Sequence, residues 1–350
     1  NDTLVPEGWL SKMISSIEKD KMIGIIGPVS NSISGLQQIK VPYIDDTQFF
    51  DFAKSKILQN DGPLSPRRRL AGFCLLMKRD LYNNVGGFSE DFHIGNFEDD
   101  DLSLRVREKG YALMCDESVL IHHYGSASFS LDIKNFNESM TINSRIFKKK
   151  WPNVDYEQLI EQKSRLSDYE NKIIKESFKL FESSKYSKSN NFVNEILTFN
   201  PISKYSLYLK SLILHNLGNF QKSEEIIDRL LYLYPRFSDG YLQKGILKLE
   251  VNDFKNSIKY FQQSIDFEPT NVLPYKLRSE ALVLNGQTNS AIDSLTEIFN
   301  IFPNEFDSME RLANIYFEND MKEDAFKILD LIKSKDINNS YAKKMLGLNK

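Results

Sequence analysis

Four prolines, Pro201, Pro235, Pro269 and Pro303, follow one another at intervals of 34 residues. Ser189, Ser223, Ser257, Ala291 and Ala325 keep the same interval. That period is far longer than the turn of a helix or the pleat of a strand. It is the length of one helix–turn–helix unit, which cannot bury its apolar face alone and must stack on copies of itself. The clearest unit places Tyr241, Gly245, Phe254, Ser257, Phe261, Ser264 and Pro269 in an alternation of aromatic and small residues. A small side chain at a fixed place lets the two helices of a unit approach closely. The second half of the chain is therefore expected to be an all-α solenoid.

The pattern divides into five units, near 170–203, 204–237, 238–271, 272–305 and 306–339, with Ile337 replacing proline in the last. Ser340 to Leu348 would cap the stack. Period and residue pattern together resemble the tetratricopeptide repeat. Five units exceed the minimum of about three that buries a continuous core. The resemblance implies a protein partner held in the groove of the array, although repeat sequence does not name that partner.

Before residue 150 the chain has another character. Glu98, Asp99, Asp100 and Asp101 are consecutive, and two unit charges 4 Å apart at an effective dielectric of about 20 repel by on the order of 4 kcal/mol. They lie between the aromatic segment Phe88, Phe92, Phe97 and the helix-like run Leu102 to Lys109, closed by Gly110. The start of a helix favours negative charge. Such a cluster can be a solvated cap, or it can serve as general base or metal ligand. Around it the sequence predicts a strand over Met22–Ile26 ended by Gly27-Pro28, an apolar strand Leu70–Met77, and two strands, Tyr111–Cys115 and Val119–His123.

The ordered series Ala71-Gly72-Phe73-Cys74, Val85-Gly86-Gly87-Phe88, Glu98-Asp99-Asp100-Asp101 and His122-His123-Tyr124-Gly125-Ser126 resembles the second half of the catalytic domain of family 2 inverting glycosyltransferases. The likeness covers about residues 1 to 130, and Asp2 matches the end of that family's DxD-type metal motif. It implies an α/β GT-A-like fold, partial and with a Rossmann-like mixed sheet, over residues 1–150. A linker, 151–169, would then lead to the repeats of 170–350. The nucleotide-binding first half of such a domain is missing, so the chain is expected to be a fragment of a longer protein.

The resemblance further implies sugar transfer from a nucleotide sugar to a glycan or protein acceptor, with inversion. Asp99 would be the base, and Glu98 would orient the acceptor or support that base. Asp2 and His122, taken over His123, would hold Mn²⁺ or Mg²⁺. Asp101 would pair with Arg105, its i,i+4 neighbour, and with Gly72 would support the acceptor loop. Arg67 and Arg69, from the run Arg67-Arg68-Arg69, could fork onto a diphosphate, or be a solvated face. A rival reading keeps the repeats as an interaction scaffold and the partial transferase domain as inert. A phosphoryl or nucleotidyl transferase is disfavoured, because no glycine-rich phosphate loop is present.

The bulk numbers exclude little more. A net charge of −3 gives no reason to expect nucleic acid as a partner. No run approaches the 18 or so apolar residues of a membrane span, and the N-terminus shows no signal-peptide pattern. Two cysteines, Cys74 and Cys115, lack metal-type spacing and read as buried thiols in a reducing compartment. Cytoplasm is the expected location.

Overall fold

The computed structural model describes residues 2–60, 62–93, 95–124, 133–156, 159 and 166–347. It divides into two compact units, residues 1–207 and 208–350. The Gly125-Ser126 end of the resemblance motif lies outside the described residues, as do Asn1 and the end of the expected cap at Leu348.

The first unit begins with β1 (Thr3–Leu4), α1 (Trp9–Ile17), β2 (Ile23–Val29) and α2 (Asp46–Gln59). It continues with β3 (Leu64–Arg67), β4 (Leu76–Met77), α3 (Arg79–Asn84) and α4 (Glu98–Glu108). Then come β5 (Ala112–Leu120), β6 (His122–His123), α5 (Ile133–Lys150), α6 (Leu166–Glu182) and α7 (Tyr186–Phe199). A four-stranded mixed sheet has the order β3-β5-β2-β4, while β1 and β6 form a separate antiparallel pair. The central strands β2 and β5 run parallel, and the edge strands β3 and β4 are antiparallel to them. Ile25, Val29, Phe49, Leu70, Leu102, Val106, Leu113 and Leu120 make the core between sheet and helices. A small mixed sheet is therefore present, as expected for an α/β unit.

Four expected strands come out differently. β2 runs through Gly27-Pro28 to Val29. Only Ile25 and Ile26 pair with β4, so Pro28, which has no N–H to give, costs nothing on that side. The expected strand Leu70–Met77 shrinks to Leu76–Met77. The backbone before it is used elsewhere: Leu70 N–H donates to Ser103 Oγ, Ala71 N–H to Gln37 Oε1 and Gly72 N–H to Asp99 Oδ2. Side chains have taken the donors that a neighbouring strand would need. The two expected strands around Asp116 are one strand, β5. Asp116, buried within it, accepts from Ser16 Oγ at 2.6 Å and from Ser118 N–H at 3.0 Å.

The helices after residue 185 keep the period. Fourteen-residue helices start at Tyr186 (α7), Phe220 (α9, to Leu233), Phe254 (α11, to Phe267), Thr288 (α13, to Ile301) and Lys322 (α15, to Lys335). Thirteen-residue helices start at Lys204 (α8, to Asn216), Ser238 (α10, to Glu250), Val272 (α12, to Leu284) and Phe306 (α14, to Glu318). A last short helix, α16, spans Ser340–Met345. Every crossing residue, Ser189, Ser223, Ser257, Ala291 and Ala325, is fully buried. In α10 the facing position is Gly245, where an added Cβ would lie 2.5 Å from the Phe261 ring. Gly245→Ala is expected to lower stability by about 1–3 kcal/mol through overpacking, read by urea unfolding.

A second 34-residue period is conformational. Ser184, Gly218, Asn252, Gly286 and Asp320, one in the turn within each helix pair, all have positive φ, between 57° and 74°. An L side chain there costs roughly 1–2 kcal/mol, least for Asn and Asp. Asp320→Gly is therefore expected to raise the melting temperature slightly, with a gain of up to about 1 kcal/mol. An unchanged or lowered melting temperature would contradict the strain.

Candidate functional site

Helix α4 starts from a strained corner. Gly95, Asn96 and Phe97 have φ of 76°, 71° and 75°, the left-handed region in which the non-glycine residues persist only if their surroundings force them. The force comes from Asn143 on α5, a fully buried side chain. Its Nδ2 donates to the carbonyls of His93, Gly95 and Asn96 at 2.9–3.1 Å, and its Oδ1 accepts from His93 N–H at 2.7 Å. Phe97 is pinned among Leu104, Phe147, Tyr156 and Leu159. Sequence reasoning overlooked Asn143, because nothing in a polar residue on a helix announces that it staples a distant loop. Asn143→Ala is expected to cost about 2–4 kcal/mol, since buried backbone groups lose their partners. Thermal unfolding would show it.

The corner delivers four carboxylates to four environments. Asp99 Oδ2 accepts from Gly72 N–H at 2.8 Å and lies 3.8 Å from Arg69 Nη2. A Cβ at Gly72 would sit 3.1 Å from that of Asp99, so the close approach depends on glycine. Asp100 is buried, ion-paired with Arg69 Nε at 2.6 Å and accepting from Tyr156 Oη at 3.1 Å. Burial first, then the Asp99 charge, push its carboxyl up to about 7 against the opposing pull of Arg69. Asp101 is fully buried and accepts from Arg105 Nε at 2.8 Å, Trp151 Nε1 at 2.9 Å and Lys150 Nζ at 3.0 Å. Arg105 continues to the carbonyls of Val85 and Gly87, tying α4 to the Gly86-Gly87 turn. Burial also raises the pKa of Glu98, whose Oε2 has no partner among the described residues.

A carboxyl whose pKa is raised by folding keeps a proton that the unfolded chain has already released. Stability therefore falls as pH rises from about 4 through about 7. The expected result is a fall in wild-type melting temperature between pH 5 and 7.5 that is smaller in Asp100→Asn. Parallel pH profiles for the two proteins would refute the assignment.

The metal residues of the sequence reading sit on the small sheet. β1 pairs with β6 so that Thr3 faces His123 and Leu4 faces His122. Asp2 Oδ2 lies 3.3 Å from Nε2 of His123. His122 instead bonds Tyr43 Oη through Nδ1 at 2.8 Å and packs on Phe49 and Tyr124. The structure thus brings Asp2 to His123, where the resemblance favoured His122, because successive side chains of a strand leave on opposite faces. His123 Nδ1 lies 2.6 Å from the Ser32 carbonyl. A carbonyl only accepts, so Nδ1 carries the hydrogen, and in the neutral ring the Nε2 lone pair faces Asp2. One carboxylate and one so-oriented imidazole are what this corner offers a divalent cation, and the hard Mn²⁺ and Mg²⁺ favour the carboxylate over the ring. Among the described residues no group of three or more His, Cys, Asp or Glu side chains could hold a metal. The Phe73 ring packs at a tilt against His123, centroids 5.7 Å apart, while its neighbour Gly72 holds Asp99, so one turn joins the two parts. Arg69 belongs to this constellation. Arg67 does not reach its carboxylates and is bound to Glu117 at 2.7 Å.

The second unit offers a different kind of site. A cavity of about 250 Å³ opens between α12 and α14, lined by Lys276, Ser279, Glu280, Asp307, Ser308 and Arg311. Ser308 is buried, and its Oγ has no partner among the described residues. Lys276 pairs with Glu305 and Asp307, leaving charge of both signs around the opening.

A family model described as tetratricopeptide repeat matches residues 205–237 and 238–271. Those two repeats are tetratricopeptide repeats. Among curated proteins, a UDP-N-acetylglucosamine–peptide N-acetylglucosaminyltransferase of Giardia intestinalis is 36% identical over 64 residues, 16% of this chain and 4% of that protein. The chain thus spans a small part of the length of the curated relative it matches. Among solved structures, MamA from residue 41 onward of Desulfovibrio magneticus RS-1 has a TM-score of 0.42 at 19% identity, covering 48% of this chain and 98% of that one. YrrB, described as a tetratricopeptide protein with an unusual peptide-binding site, has a TM-score of 0.41 at 12% identity, covering 50% and 90%. Among the described residues no helix is long and apolar enough to cross a membrane.

Proposed function

We propose that this chain recruits a protein partner, an extended segment of which lies along the first helices of successive tetratricopeptide repeats. The observation that carries the reading is the cavity between α12 and α14. A buried hydroxyl without a partner is costly, and a backbone carbonyl or amide of a docked segment would satisfy Ser308. Lys276, Glu280 and Arg311 would select its charges. Arg311, half-exposed and 3.7 Å from Glu318, can be reversed at little cost to the fold. Arg311→Glu is expected to weaken peptide binding about tenfold or more, the scale of a charge-assisted hydrogen bond replaced by repulsion.

A second reading, inverting glycosyl transfer by the first unit, is favoured by the Asp99 constellation. Asp99, anchored by Gly72 N–H and beside Arg69, would take the proton of the acceptor hydroxyl as it attacks the anomeric carbon. Glu98 would orient that hydroxyl, and Asp101 with Arg105 would hold the loop. Asp2 and His123 are the residues that would hold Mn²⁺ or Mg²⁺, which when bound would neutralise the departing diphosphate. Under this reading the repeats deliver the acceptor. Hydrolysis of a panel of UDP-, dTDP- and GDP-sugars with Mn²⁺, by the natural full-length protein, tests it. Silence with every donor would leave the recruiting role standing alone.

A further inference from the structure

The back of α4 carries a cluster that neither reading uses. Arg67 at the end of β3, Arg68 after it and Arg107 near the end of α4 line one cavity of about 610 Å³, with Tyr169 of α6 and Phe199 of α7 on its wall. This is the size of an ordinary small-molecule site. Arg67 is 8% exposed. Its Nη1 donates to Ser65 Oγ at 2.7 Å and Pro66 O at 3.0 Å, and its Nη2 to Glu117 at 2.7 Å. Its Nε is buried with no partner among the described residues.

Arg107 Nη1 donates to the Arg68 carbonyl at 3.4 Å, which draws the two arginines together. Crowding of the guanidinium first, and the Arg68 charge second, hold the Arg107 pKa below the ordinary arginine value. The charged neighbour that Arg107 senses is thus another cation. The acidic wall is partly occupied: Glu195 accepts from Tyr169 Oη, and Asp155 lies at the cavity's side. Asp99 takes no part, since its carboxylate faces Gly72 and Arg69.

We propose that this cavity binds a phosphate-bearing small molecule. The phosphate would sit against Arg68 and Arg107, in the forked geometry that suits guanidinium and phosphate. A planar or apolar remainder would lie along Tyr169 and Phe199. The site is distinct from the acidic constellation, so a ligand here is an effector or a second substrate.

The test is titration calorimetry of the 350-residue chain with inorganic pyrophosphate, in buffer freed of metal by chelator. Wild type, Arg68→Gln, Arg107→Gln and Asp99→Asn are compared after circular dichroism shows that each is folded. The expected result is saturable binding to one site, weakened about tenfold or more in each arginine variant and unchanged in Asp99→Asn. Arg107→Lys should recover part of the loss by restoring the charge. Absence of saturable binding, survival of binding in both arginine variants, or loss only in Asp99→Asn would overturn the assignment. Equal displacement by sulfate would overturn it as well, by showing indifferent anion pairing.

Discussion

If the first unit transfers sugar with Asp99 as base, Asp99→Asn is expected to lower that transfer by about 10²–10⁴-fold, the range lost with a general base, while leaving the melting temperature nearly unchanged. The amide oxygen of asparagine can still accept from Gly72 N–H, so the turn that joins α4 to His123 through Phe73 keeps its anchor. The amide cannot take up a proton from an acceptor hydroxyl. The separation of these two effects makes the variant informative. Near-normal turnover in a donor panel that is active with wild type would remove Asp99 from the role of base. A large drop in melting temperature would mean that the carboxylate is needed for the fold instead.

Asp101→Ala should have the largest effect on stability, a loss of about 3–5 kcal/mol. The side chain is fully buried and receives Arg105, Trp151 and Lys150. Removing it leaves one buried guanidinium without its carboxylate and one indole N–H without an acceptor. Arg105 also holds the carbonyls of Val85 and Gly87, so the Gly86-Gly87 turn should loosen together with the start of α4. Urea unfolding gives the magnitude, and amide exchange around Gly87 gives the location. A cost below about 1 kcal/mol would show that the cluster behaves as a surface ion pair.

The repeats and the chain before them differ in how far their sequence discloses them. In the repeats every unit restates the same constraints, so Pro201 to Pro303 and Ser189 to Ala325 mark helix pairs that the structure reproduces in helices of equal length. Even there the left-handed turns were not legible, because Ser184, Asn252 and Asp320 hold the conformation that Gly218 and Gly286 hold elsewhere. The i,i+4 pair Asp101–Arg105 was legible, since helix geometry alone brings the two together. Residues 70–75 read as a strand by composition. They form a loop because Gln37, Asp99 and Ser103, far apart in sequence, supply their hydrogen bonds. The choice between His122 and His123 turned on the register of a two-residue strand against β1, which no local pattern encodes. Asn143 was invisible for the same reason: its role lies in loop carbonyls some 50 residues away.

The recruiting role is tested most directly by selecting from a library of unstructured peptides on wild type, with Arg311→Glu as the counter-target. The account predicts an enriched peptide class that binds wild type with micromolar affinity and the variant at least about tenfold more weakly, with Ser308 and Lys276 resonances shifting on titration. Peptides that bind both proteins equally, or no enrichment at all, would contradict docking between α12 and α14.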